Sequence, residues 1–153
     1  MDRIVLKLPI VGNLLRNAIL ARFSTTLATT FNAGLPILDA LRSAARTAGN
    51  SYYTQSILDL RQDLACGVSL HQAISKQTLF PIALQQMILV GEESGTLGQI
   101  LDRAGRFYEQ DMQLSLDTLT QLTEPLIMLV LGLVVGGLLL AMYLPIFQIG
   151  SII

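Results

Sequence analysis

Gly91-Glu92-Glu93-Ser94-Gly95-Thr96-Leu97 sets two carboxylates beside two hydroxyls and between glycines, the pattern in this chain that most resembles reactive chemistry. A serine-hydrolase elbow is Gly-x-Ser-x-Gly on a strand-to-helix turn; Ser94 stands one place too late and no strand pattern precedes it. His71 is the only histidine, so Ser94 or Cys66 would have a single possible base. A loose calcium-type site on Glu92 and Glu93 would need further oxygen ligands, and neighbouring side chains on a corner diverge. Lys7 and Lys76 are followed by Leu8 and Gln77, so the phosphate-loop pattern is absent. The residues themselves thus assign no catalytic group, no cofactor and no metal, and leave a turn.

The elements around this turn are helical. Leu15, Ala18, Ile19, Phe23, Leu27, Thr30 and Phe31 recur at helical spacing until Gly34, where a left-handed terminal residue belongs. Pro36 opens a second helix with Ile37, Leu41, Ala44 and Ala45 as its stripe, ending at Gly49. Tyr53, Ile57, Leu60 and Leu64 line a third up to Gly67, Ser69 caps a short fourth, and Pro81 begins a fifth running to about Val90. Gly91 is expected to close that fifth helix, and Thr96-x-x-Gln99 reads as a capping box opening the sixth. "AGLPILDAL" at 33–41 and "CGVSLHQAI" at 66–74 echo each other as two similar corners. No segment alternates with period two, so the fold class is all-α, a six-helix bundle. His71 reads as a partly exposed helix residue and Cys66 as a small apolar filler.

Composition adds a membrane. The chain of 153 residues is 52% hydrophobic and 14% charged, with mean hydropathy +0.55, unlike an ordinary soluble domain. After Glu124 no charged residue follows, and Leu126–Leu144 is an uninterrupted apolar run of 19 residues. As a helix it spans roughly 28 Å, the thickness of a hydrocarbon core. Gly132-x-x-x-Gly136, followed by Gly137, offers a small-residue face for packing within the membrane. The sixth helix continues into this run with only Pro125 between them, which predicts one bent rod from about Leu97 to Leu144. The expected organisation is a juxtamembrane basic segment at 1–13, a cytoplasmic bundle at 14–123, a transmembrane helix at 124–145 and a short periplasmic tail at 146–153. Lys7 and Pro9 interrupt the first apolar stretch and argue against a cleavable signal peptide, and the lone Cys66 suits a reducing compartment.

Charge is divided. Residues 1–50 carry Arg3, Lys7, Arg16, Arg22, Arg42 and Arg46 against two acids, whereas residues 90–125 carry seven acids against Arg103 and Arg106. Nucleic-acid binding lacks the concentrated basic face it requires. The tract "DRIVLKLPIVGNLLR" suits a segment lying against an anionic inner leaflet or emerging from an earlier membrane helix, and membrane lipid is an expected contact.

Three stretches, "LKLPIVGNLLRNAILARFSTTLATTFNAGLPILDAL", "FPIALQQMILVGEESGTL" and "EPLIMLVLGLVVGGLLLAMYLPIFQIG", resemble in order the inner-membrane platform proteins of type IV pilus and type II secretion machines, the PilC/GspF family. The ending "MYLPIFQ" looks more like the pilus branch. The resemblance implies tandem six-helix cytoplasmic domains joined by three membrane spans, of which this chain corresponds to the second domain and the last span. It implies a non-enzymatic platform in the bacterial inner membrane. There it would couple hexameric pilus assembly and retraction ATPases to pilin transmembrane helices, beside other inner-membrane pilus components and as a homo-oligomer. Gly91, Glu92, Ser94, Gly95 and Leu97 match the family's corner motif, and Pro125, Pro145 and Phe147 its membrane segment. Glu92, Glu93, Glu109 and Asp111 are candidates for the motor contact; Gly132, Gly136 and Gly137 are candidates for membrane packing. Rival readings are the equivalent platform subunit of a type II secretion system, a tail-anchored cytoplasmic adaptor, and a membrane-tethered hydrolase using Ser94 and His71.

Overall fold

The computed structural model describes residues 9–153, so Arg3 and Lys7 of the basic tract lie outside the described residues. Six helices follow one another: α1 (Pro9–Asn32), α2 (Ile37–Thr47), α3 (Ser51–Ala65), α4 (Leu70–Ser75), α5 (Ile82–Ser94) and α6 (Leu97–Ile152), with no strand among the described residues. They fall into two compact units divided after Ser115.

In the first unit the expected stripes form the core. Ile19, Leu20, Phe23 and Leu27 of α1 meet Leu41 and Ala44 of α2, Ile57 and Leu60 of α3, and Leu101 and Ala104 of α6 in one buried cluster. Full burial of each large side chain contributes about 1.5–3 kcal/mol. Phe80, just before α5, completes an aromatic group: its ring lies 5.1 Å from Phe23 and 5.8 Å, edge-on, from Tyr53. The Tyr53 hydroxyl donates to the Leu79 carbonyl at 3.1 Å, which satisfies its polar end.

The helix ends are set by glycine. Gly34 (φ 89°) and Gly67 (φ 92°) take the left-handed conformation that side chains resist. Leu35 N then donates to the Thr30 carbonyl and Val68 N to the Asp63 carbonyl, each at 3.1 Å, the bond that closes a Schellman turn. The echo between 33–41 and 66–74 is therefore shared turn chemistry. Pro36 and Pro81 sit one place earlier than expected, as extended cap residues before α2 and α5. Asn50, which the sequence reading passed over, caps α3 by accepting from Tyr52 N (3.0 Å) and Tyr53 N (3.4 Å). Cys66, read as a filler, is instead exposed: it follows the last residue of α3, where the chain turns out of the core.

α1 starts at Pro9, so residues 9–13 of the tract read as juxtamembrane form its first turns. α6 is one helix of 56 residues, with Pro125 and Pro145 inside it. In the second unit, Leu116–Ile153, its large apolar side chains other than Leu119 are exposed, and it is long and apolar enough to cross a membrane. The helix also runs past Leu144 to Ile152, through the segment expected to be a tail. Residues there carry no charge, and Gln148 and Ser151 stand among apolar side chains; the Ser151 hydroxyl donates to the Gln148 carbonyl at 2.9 Å.

Candidate functional site at the α5–α6 corner

The "GEESG" stretch is a corner, but its closing residue is not Gly91. α5 continues to Ser94, and Gly95 (φ 70°) is the left-handed residue, with Thr96 N donating to the Gly91 carbonyl at 2.9 Å. Gly91 lies inside the helix for a different reason. A Cβ placed there would come within 3.0 Å of the Leu97 Cα, so its hydrogen lets the start of α6 lie against α5. Ser94 Oγ donates to the Val90 carbonyl (2.6 Å) and pairs with Thr96 Oγ1 (2.6 Å). The Thr96 hydroxyl thus turns back towards Ser94, in place of the expected capping box with Gln99.

Glu92 has the most defined task. Its two carboxylate oxygens accept from Leu70 N (2.7 Å) and His71 N (3.1 Å), the first backbone donors of α4. Ser69 Oγ accepts from the next donor, Gln72 N, at 3.2 Å. A six-residue helix is too short to persist alone, and its free N–H groups carry partial positive charge. Glu92, 22 residues away in sequence, neutralises and holds that end. His71 Nδ1 lies 3.1 Å from the Gln85 carbonyl, a second tie from α4 to α5.

Ser94 and His71, the pair a hydrolase would use, are therefore each bonded to different backbone carbonyls, and no hydrogen bond joins them. Among the described residues no three His, Cys, Asp or Glu side chains converge as a metal site would require. Two shallow cavities flank Glu92, of about 640 and 410 Å³, both bordered by Phe31, Ser69 and Leu97.

The four candidate acids divide between two places. Glu92 is half-buried at the corner and Glu93 exposed beside it. Glu109 stands twelve residues into α6, about 18 Å along the helix axis. It borders a separate cavity of about 310 Å³ with Arg22, Thr25 and Met112. Asp111 is half-buried near Tyr108, whose phenol is pushed up to about 12 by burial first, then by the charges of Asp111 and Tyr53.

Sequence reasoning missed two glycines that position these groups. A Cβ on Gly98 would collide with the Asn32 side chain, and one on Gly105 would lie 2.5 Å from Thr25 Oγ1 and 3.2 Å from Thr25 N. Seven residues apart, they fall on the buried face of α6 with Leu101 and Tyr108, and they let α1 and α6 approach closely. That spacing on an otherwise apolar stripe was the available signal. Gly132, Gly136 and Gly137, by contrast, meet nothing within 4 Å.

Known proteins share this arrangement of sequence. The profile of the family described as type II secretion system (T2SS), protein F, matches residues 23–145. The type 4 fimbrial assembly protein PilC of Pseudomonas putida is 52% identical over 97% of the chain and 37% of the relative's length. The type IV pilus assembly protein PilC of Pseudomonas aeruginosa is 42% identical over the whole chain and 41% of its own length. The type II secretion system protein F of the same species is 33% identical, over 97% of the chain and 37% of the relative. The chain therefore spans well under half of these relatives. With the profile covering most of the bundle and the apolar run of α6, the chain belongs to the type II secretion system protein F family.

Proposed function

We propose that this chain is part of a non-catalytic inner-membrane platform of a type IV pilus machine, coupling cytoplasmic ATPase motors to the insertion or removal of pilin subunits. The higher identity to pilus assembly proteins than to the secretion protein favours the pilus over the secretion branch. The observation that carries the coupling is the continuity of α6: the helix that contributes Leu101, Ala104 and Tyr108 to the bundle core runs unbroken into the uncharged apolar stretch. In this reading the bundle lies in the cytoplasm, residues beyond Leu144 lie on the periplasmic side, and the acids at 93, 109 and 111 contribute to the motor contact. Gly132, Gly136 and Gly137 would then serve packing within the membrane, in a dimer or higher oligomer.

The test is co-purification of the detergent-solubilised parent protein with the pilus ATPases. Glu93→Gln, Glu109→Gln and Asp111→Asn are combined in one variant, and Glu92 is varied separately because it also caps α4. Loss of the ATPases with the helical circular dichroism signal intact supports the reading. Retention moves the contact to the basic surface of Arg16, Arg22, Arg42 and Arg46, and absence of any ATPase from the wild-type complex refutes the coupling.

A further inference from the structure

We propose that the face of α6 opposite Pro125 is a docking groove for a different membrane helix, one that carries a basic side chain at the level of Glu124. The inference rests on the platform reading only in taking α6 to cross a bilayer.

At 100° per residue, Leu116, Thr120, Thr123, Ile127 and Leu131 all fall within about 60° of the direction opposite Pro125. These residues, with Glu124, border a concavity of about 630 Å³ that belongs to the second unit alone. Pro125 has no N–H to donate to the Gln121 carbonyl, so the helix is locally weakest beside this face. The hydroxyls in the groove are already used: Thr120 Oγ1 donates to the Leu116 carbonyl at 3.0 Å and Thr123 Oγ1 to the Leu119 carbonyl at 2.9 Å. Glu124 is the one formally charged residue among those bordering the groove.

Charge selects the occupant. From Phe107 to Ile153 the sequence contains no lysine, arginine or histidine, while Asp117 stands one heptad before Glu124. A parallel second copy would set carboxylate against carboxylate, and an antiparallel one would bring only the uncharged residues after Glu124. An acid at the edge of the hydrocarbon is stabilised by a cation at the same depth, and neither arrangement of this chain supplies one. Gly132 and Gly136 lie within about 20° of Pro125 on the opposite side, so a glycine-packed neighbour and a groove-bound helix do not compete.

The test uses the full chain in lipid nanodiscs with a photoreactive phenylalanine at position 127 in the groove, or at position 129 on the proline side. The probes are three synthetic membrane peptides of 20 Leu and Ala residues, preceded by a single Arg, Gln or Glu. Position 127 is expected to capture the Arg peptide at least fivefold more than the Gln peptide, and position 129 to show no preference. E124Q is expected to abolish the preference, and E124K to transfer it to a peptide bearing Glu. Equal capture of the Arg and Gln peptides at position 127, a preference that survives E124Q, or dominant crosslinking between two copies of the chain would each overturn the groove. Failed capture beside intact ATPase co-purification sinks the groove alone, and capture without co-purification sinks the platform coupling alone.

Discussion

Replacing Glu92 by alanine removes two charge-assisted hydrogen bonds at once and leaves Leu70 N and His71 N without their acceptors. Bonds of this kind contribute about 1.5–3 kcal/mol each when buried. Glu92 is half-exposed, so water replaces part of the loss, and about 2–3 kcal/mol is expected, somewhat above an ordinary helix cap. For a unit of roughly a hundred residues, each kcal/mol lowers Tm by about 4–8 °C, so Glu92→Ala should melt roughly 10–20 °C lower by circular dichroism. Glu92→Gln keeps one acceptor oxygen and should lose about half as much. The adjacent Glu93→Ala, exposed on the same corner, should stay within about 0.5 kcal/mol of wild type. Hydrogen exchange followed by mass spectrometry localises the effect: amides 70 and 71 should exchange at least tenfold faster in Glu92→Ala while those of α3 keep their protection. An unchanged Tm together with unchanged exchange at 70 and 71 would refute the role assigned to Glu92.

Further outcomes follow from packing and burial. Gly105→Ala should destabilise the bundle by about 1–3 kcal/mol in a thermal melt, because its Cβ faces the Thr25 backbone, whereas Gly98→Ala should cost less, because the added Cβ meets side chains alone: Asn32 can rotate away and the Phe31 ring, 3.3 Å distant, need shift only slightly. Stability should fall as pH rises from the ordinary tyrosine range near 10 towards 12, since the folded chain holds the Tyr108 proton more tightly than the unfolded one. Tyr108→Phe should flatten that slope without loss of stability at pH 7, because the buried hydroxyl has no hydrogen-bond partner. On the proposed platform reading, Gly132→Leu combined with Gly136→Leu in the parent protein should abolish piliation while leaving it inserted in the membrane; full piliation in that double variant refutes the packing role.

Much of this fold is legible in residue order because its signals are local. Gly34, Gly49 and Gly67 mark helix ends through their own backbone preference, and the apolar stripes of α1 to α3 need no distant partner to be recognised. The corner is harder to read because its logic is tertiary. Gly91 and Gly95 both look like helix stops, and what separates them is the nearness of Leu97 to one and a positive φ at the other. Glu92 looks like a reactive or docking carboxylate until α4 folds against it; nothing near position 92 announces an obligation to Leu70 and His71. Gly98 and Gly105 were hidden among residues whose periodicity was already explained. Thr96 followed by Gln99 satisfied a local rule that the nearer Ser94 hydroxyl overrides.

The uncharged stretch of α6 bears on energetics as well as on topology. A transmembrane voltage of 100 mV does about 2.3 kcal/mol of work on each elementary charge that crosses it. Between Pro125 and Leu144 there is no such charge. Rotation of this segment about its own axis within a bilayer would therefore move no charge through the field. Force for any such rotation must come mechanically, through contacts with a neighbouring helix or along α6 itself, and not from the electric field of an energised membrane.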